Sequence, residues 1–159
     1  MIRAEIYKAR TRGLIYSMSK GLKFAAYIFA IIGILDSAYL SYTKLVHSEV
    51  FCGTSSQCST VNNSSYAEIG GIPIALLGMG AFLGILALLV LEGKYKFWKD
   101  NAPMILFGIT LIGVLYSAFL TYIEFAVLFA VCPYCIVSAI CMTLLFLVSI
   151  IHLVQVFRD

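Results

Sequence analysis

Cys132-Pro133-Tyr134-Cys135, followed directly by a largely apolar run that reaches Val156, is the stretch whose reading decides the fold. The run is long enough to cross a bilayer as a helix, which takes roughly 20 apolar residues. Pro133 suits the first turn of that helix, where its missing N–H would have no partner anyway. A helix starting at Cys132 sets Cys132 and Cys135 one turn apart on one face. Two cysteines at this spacing can close a small disulfide ring, and a helix N-terminus favours the thiolate of Cys132. The stretch reads as a redox pair at the mouth of a membrane helix.

Working outward, the 159 residues are 62% hydrophobic and 12% charged, with a mean hydropathy of +0.98. Soluble domains are nearer half apolar. Four stretches are long enough to span: about Leu22–Leu45, Ile72–Leu91, Pro103–Phe125 and Cys132–Val156. The last two are joined by few residues and form a tight hairpin. The expected fold is all-α, a four-transmembrane-helix bundle built as a single membrane domain over residues 1–159, with an outer loop at about 46–71. Nothing points to nucleic acid, haem, flavin or nucleotide binding.

Charge sets the orientation. Arg3, Lys8, Arg10, Arg12, Lys20 and Lys23 precede or open the first span, Lys94, Lys96 and Lys99 lie between the second and third, and Arg158 follows the fourth. Only Lys44 falls on the other side, so the positive-inside rule places both termini in the cytoplasm. The loop with Cys52 and Cys58 and the mouth of the fourth span then face outward, where oxidised thiols are expected. The protein is expected in the cell membrane, or in the endoplasmic reticulum membrane if eukaryotic.

The first span carries Asp36, a candidate by default because ionisable groups inside spans are expensive. Residues 32–42 also resemble residues 112–122, with seven of eleven pairs identical at an offset of 80 that maps Cys52 onto Cys132. Either an internal duplication or shared small-residue helix packing accounts for this. The run between Cys52 and Cys58 is rich in Gly and Ser and is expected to be flexible. Pro73 and Pro103 are expected near helix starts. Glu124 is expected to reach interfacial water, His47 to be solvated, and Cys141 to pack inside the fourth helix.

The four outer cysteines admit a four-thiolate zinc site, two static disulfides, or a relay of exchanging pairs. The 52–58 spacing is long for a zinc knuckle and no metal is expected. A relay needs one mobile pair that meets a partner and then a second pair. A dithiol at the outer leaflet has lipid-soluble oxidants to hand, and a quinone matches its two electrons.

Cys58-Ser59-Thr60-Val61, Ser64-Ser65-Tyr66-Ala67, the run from Gly71 to Gly78 and the Cys132–Cys135 pair resemble the vitamin K epoxide reductase family in its microbial branch. The resemblance covers roughly residues 22–157. It implies a four-helix bundle around a quinone (ubiquinone, menaquinone or vitamin K type), capped by the outer loop. It implies Cys132 and Cys135 as the active-site pair and Cys52 and Cys58 as the shuttle pair. A thioredoxin-fold thiol protein would reduce the shuttle disulfide, Cys58 would attack Cys132, and the freed Cys135 would pass electrons to the quinone. By position, Phe51, Tyr39, Phe119 and Tyr122 are the candidates to line the quinone pocket.

Two departures stand out. Many microbial members carry a fused thioredoxin-like domain; this sequence stops at Asp159, so the expected partner is a separate protein. Vertebrate members carry a Tyr four residues after the second motif cysteine and an Asn near the start of the second span; Ala139 and Ala67 or Glu68 stand there. Quinone reduction is therefore the expected activity, with epoxide reduction or a non-enzymatic scaffold as alternatives.

Overall fold

A computed structural model describes residues 20–51, 57–94 and 96–157. The basic segment 1–19 and the Gly/Ser-rich run 52–56, Cys52 included, lie outside the described residues. Four long helices dominate: α1 (Lys20–Leu45), α3 (Ile74–Lys94), α4 (Lys96–Ile123) and α5 (Pro133–Phe157). A short helix, α2 (Gln57–Asn62), lies in the connection between α1 and α3, at the cysteine-bearing end of the bundle, the end labelled outer. Among the described residues, four helices are long and apolar enough to cross a membrane.

The bundle is a closed ring in which α1 packs on α3, α3 on α4, α4 on α5, and α5 back on α1. Small residues decide how closely the helices approach. On α1 the buried stripe is Ala26, Ala30, Gly33, Ser37, Leu40 and Ser41, a run of three- and four-residue steps along one face. Phe24, Ile28, Ile31 and Leu35 point outward, as lipid-facing side chains do. A methyl group added at Gly33 would collide with the Phe82 ring of α3, and one added at Gly113 of α4 would collide with Met142 of α5. Gly33 and Gly113 are equivalent positions in the 80-residue repeat. At this pair of positions the two stretches do the same packing job, each admitting a large side chain from the next span.

The inner half of the core holds Phe82, Ile85, Leu89, Leu106, Met142 and Leu145, with Cys141 among them as a buried free thiol. A buried hydroxyl pair, Thr110 and Ser149 at 3.0 Å, ties α4 to α5. Below it Glu92, 5% exposed, pairs with Lys23 at 3.3 Å and faces His152 at 3.7 Å.

The outer end is capped by more structure than a loop. After α2 and a single 3-10 turn, β1 (Glu68–Ile69) pairs antiparallel with β2 (Ile72–Pro73). Gly70 and Gly71 make the two-residue turn at φ +59° and +84°, a conformation glycine adopts freely. Pro73 therefore closes a hairpin, and α3 starts one residue later. Lys44, the one cation expected on this side, binds the Asn62 carbonyl and pairs with Glu68 at 3.0 Å. Asn62 in turn donates to the Leu40 carbonyl at 3.4 Å. These contacts staple the cap to the end of α1.

The third span also departs from expectation. α4 begins at Lys96, so Pro103 sits inside it rather than at its start. Its missing N–H costs one backbone bond where the basic extension enters the span. At the outer end, α4 widens into a π turn over Glu124–Leu128 before the chain reverses at Phe129.

Candidate active site

Cys58 and Cys132 fall in one buried cluster at the outer end, together with Leu40, Val50, Val61 and Ala130. Both cysteines are fully buried. Cys58 is disulfide-bonded, whereas Cys132 and Cys135 are free thiols. Cys58 rides on α2 and Cys132 immediately precedes α5, so the cap's fold delivers one cysteine to the other.

Tyr134, inside the motif, has a role that spacing alone did not reveal. Its hydroxyl donates to the Phe51 carbonyl at 3.0 Å, and the Phe51 N–H donates to the Tyr39 hydroxyl at 3.1 Å. The two tyrosine rings lie 5.2 Å apart. Together they clamp the backbone just before Cys52. The Val50 N–H donates to the Ser59 hydroxyl at 3.2 Å, and the Val131 N–H to the Gln57 side chain at 3.5 Å. The segments flanking both cysteine pairs are thereby held to one another.

Glu124 was expected at interfacial water; it is buried, at 2% exposure. The π turn it opens adds a residue to the helical turn, a device often found at functional sites. The Glu124 carbonyl caps that turn by accepting the Phe129 N–H and the Ala130 N–H, the latter at 3.1 Å. Phe129 takes a left-handed conformation, φ 49°, with its ring 82% exposed. This reversal folds the chain back so that the Glu124 carboxylate accepts the Cys132 N–H at 3.2 Å. The Cys135 thiol hydrogen-bonds the Cys132 sulfur and interacts with the Glu124 side chain. The bond from Cys135 pulls the Cys132 thiol below its ordinary range, against burial and the Glu124 charge.

A cavity of about 550 Å³ lies next to this cluster, lined by the long helices and the cap. Its walls are mostly apolar. Cys135 and Glu124 both line it; Cys132 does not. On α4 the lining residues Tyr116, Ser117, Leu120 and Thr121 follow helical spacing toward Glu124. Ala67 from the cap and Ala139 from α5 also line it.

The four aromatics expected around this space lie elsewhere. Phe119 and Tyr122, 53% and 66% exposed, do not line the cavity: Tyr122 lies far round α4 from the lining residues, and Phe119 lies at their edge, its ring 6.1 Å from that of Tyr116. Tyr39 is spent on the Phe51 backbone, and Phe51 itself is 75% exposed. The aromatic rings that do line the cavity are Tyr66 and Tyr116, along with Phe82. Asp36 is outside the lining, and its Oδ2 has no hydrogen-bond partner. His47 stays exposed in the turn that ends α1.

Comparisons with known proteins bear on the same residues. The family model for the vitamin K epoxide reductase family matches residues 24–150. The thiol-disulfide oxidoreductase LTO1 of Arabidopsis thaliana is 38% identical over 125 residues, covering 73% of this chain and 32% of that protein. The chain therefore spans about a third of the length of this relative. The matched region runs from α1 through most of α5, taking in the cap, the cavity and both motif cysteines, and on that evidence the chain belongs to the vitamin K epoxide reductase family.

Proposed function

We propose that the protein is a quinone-dependent thiol oxidoreductase that promotes disulfide formation on the outer face of the membrane. One observation carries the reading. A free dithiol stands between a buried disulfide cysteine and an apolar cavity, with Cys132 clustered with Cys58 and Cys135 lining the cavity. The relative's printed name, a thiol-disulfide oxidoreductase, agrees with it.

The cavity suits a quinone head group. Its volume is within the several hundred Å³ typical of small-molecule sites, its walls are apolar, and a few polar groups converge on it. Tyr66, Tyr116, Ser117 and Thr121 would hold the ring oxygens. A quinone bound there supplies a two-electron, two-proton sink. The chain's own part is thiol exchange. A thioredoxin-fold dithiol reduces the Cys52–Cys58 disulfide; the Cys58 thiolate then attacks Cys132, and Cys135 leaves as the thiolate. Both termini are assigned to the cytoplasm from the basic residues alone.

Reduction of an epoxide is the weaker reading. Ala139 lines the cavity where vertebrate members of the family place a Tyr and supplies no side-chain hydrogen bond; of Ala67 and Glu68, which fall where those members place an Asn, Ala67 lines the cavity and Glu68 does not. The test is anaerobic. Purified protein is given a reduced thioredoxin-fold dithiol protein and a soluble quinone, and quinol is followed by absorbance. Sustained quinol turnover that is abolished in Cys135→Ala and falls to at most a single equivalent in Cys58→Ala supports the relay. Its absence from folded wild-type protein, with any quinone, refutes it.

A further inference from the structure

We propose that Glu124 is the base that takes the proton from the Cys135 thiol when the motif pair is oxidised. This rests on the thiol-oxidase reading above and adds a catalytic residue to it.

The first argument is the cost of the position. A carboxylate at the outer end of a span can reach headgroups and water at little expense. Glu124 instead turns inward and is 2% exposed. Among the described residues no Lys, Arg or His pairs with it. A buried carboxylate without a cation is expensive, so its place has to be supported by what it touches.

What it touches is the dithiol. One carboxylate oxygen accepts the Cys132 N–H at 3.2 Å, and the side chain lines the cavity with Cys135 and interacts with its thiol. The π turn and the left-handed Phe129 are the local backbone features that produce this aim. Structural anchoring of Cys132 would need only the first contact. The second contact is to a reacting atom.

The third argument concerns access. Cys135 lines a mostly apolar cavity, whose walls offer few groups that could accept a departing proton. Glu124 lines the same cavity beside it. The carboxylate therefore touches the thiol and also borders the space where the electron acceptor would sit.

The step balances simply. The S–H bond of Cys135 breaks, an O–H bond forms on Glu124, and Cys135 is left as the thiolate; no electrons move. Cys132, whose own proton has already gone to water, then joins Cys135 as the disulfide; two electrons pass to the quinone, and the Glu124 proton with one from water completes the quinol. Glu124 returns to the carboxylate.

The test begins without quinone. Reduced wild-type protein, Glu124→Gln and Glu124→Asp are treated with N-ethylmaleimide, and modification of Cys135 is timed by mass spectrometry. Gln keeps an oxygen for the Cys132 N–H but cannot take a proton. Glu124→Gln is expected to slow Cys135 modification about 100-fold, the scale of general-base assistance, with its thermal midpoint near wild type. Glu124→Asp keeps the base on a shorter arm and is expected to fall between the two. An unchanged Cys135 rate in folded Glu124→Gln overturns the proposal; so does Glu124→Asp reacting no faster than Glu124→Gln. Quinol formation is then measured on the same proteins. Wild type that makes quinol, with Glu124→Gln equal to it, sinks the role of Glu124 and spares the oxidase reading. Wild type that makes no quinol sinks the oxidase reading, whatever the alkylation rates show.

Discussion

Two glutamates are buried at opposite ends of the same bundle, and they are solved differently. Glu92, at the inner end, faces Lys23 at 3.3 Å and His152 at 3.7 Å. Glu124, at the outer end, faces a backbone N–H and a thiol. The inner arrangement is a clasp: opposite charges from α1 and α3, with α5 alongside, meet where the helices converge. The outer arrangement has no cation among the described residues and sits beside the dithiol and the cavity. The contrast teaches that burial of a carboxylate is not itself a sign of chemistry. What distinguishes the two is whether the partner is a charge that neutralises or an atom that reacts.

Substitutions can break this comparison, and the largest effect belongs to the outer end. Cys135→Ala is expected to remove quinol formation entirely while the protein stays folded, and to accumulate a Cys58–Cys132 disulfide visible by non-reducing mass spectrometry. A scaffold with static disulfides would behave in the opposite way. There, losing a cysteine costs stability, about 2–5 kcal/mol, and no activity is at stake. Next comes Glu124→Gln, whose expected cost is about 100-fold in rate with little change in thermal midpoint. Glu92→Gln should give the mirror image. It leaves Lys23 without its counter-charge and is expected to destabilise by about 2 kcal/mol, less than the 3–5 of a fully buried pair because the Lys23 side chain keeps 20% exposure. Its thiol chemistry should be unaffected, which thermal unfolding and the alkylation assay check together.

Smaller effects sharpen the comparison along the helices. Gly33→Ala drives a methyl group into the Phe82 ring and should cost about 1–3 kcal/mol. Gly113→Ala meets Met142 instead, whose flexible thioether can move aside, so the cost should be lower. Thermal midpoints of the two variants test that order. The smallest expected change is in pH response. Because the Cys135 thiol lowers the pKa of Cys132, the Cys132 thiolate persists below the pH at which an ordinary cysteine is protonated. Alkylation of Cys132 should therefore hold up as pH falls through about 8.5, the ordinary thiol value. With Cys135→Ala combined with Cys58→Ala, so that Cys58 cannot trap Cys132, the profile should move up, since the bond that lowers it is gone.

Much of this was legible in the sequence. Span length and apolar composition gave the four helices, and the spacing of Cys132 and Cys135 gave the pair at the mouth of α5. What stayed hidden depended on helix phase and on backbone exceptions. Phe119 and Tyr122 are aromatic and at the right depth, yet they lie on the lipid side of α4, and only the packing of α4 against α3 and α5 decides which side that is. Glu124 sits near the end of an apolar run, where a solvated carboxylate is the ordinary reading. A π turn and a left-handed Phe129 reversed that, and neither has a sequence signature, since no glycine marks the turn. Pro103 and Pro73 carried true local information, because each restricts the backbone where it stands. The helix continued past one and began after the other for tertiary reasons: the basic extension of α4, and a hairpin closed by Gly70 and Gly71.

The most direct test of the central claim uses the protein alone. Fully reduced Cys58→Ala protein is mixed anaerobically with excess soluble quinone, and quinol is counted against protein. The account predicts one quinol per protein, with Cys132 and Cys135 recovered as a disulfide, and none in Cys135→Ala treated the same way. Folded Cys58→Ala protein that yields no quinol and keeps both motif thiols would contradict it.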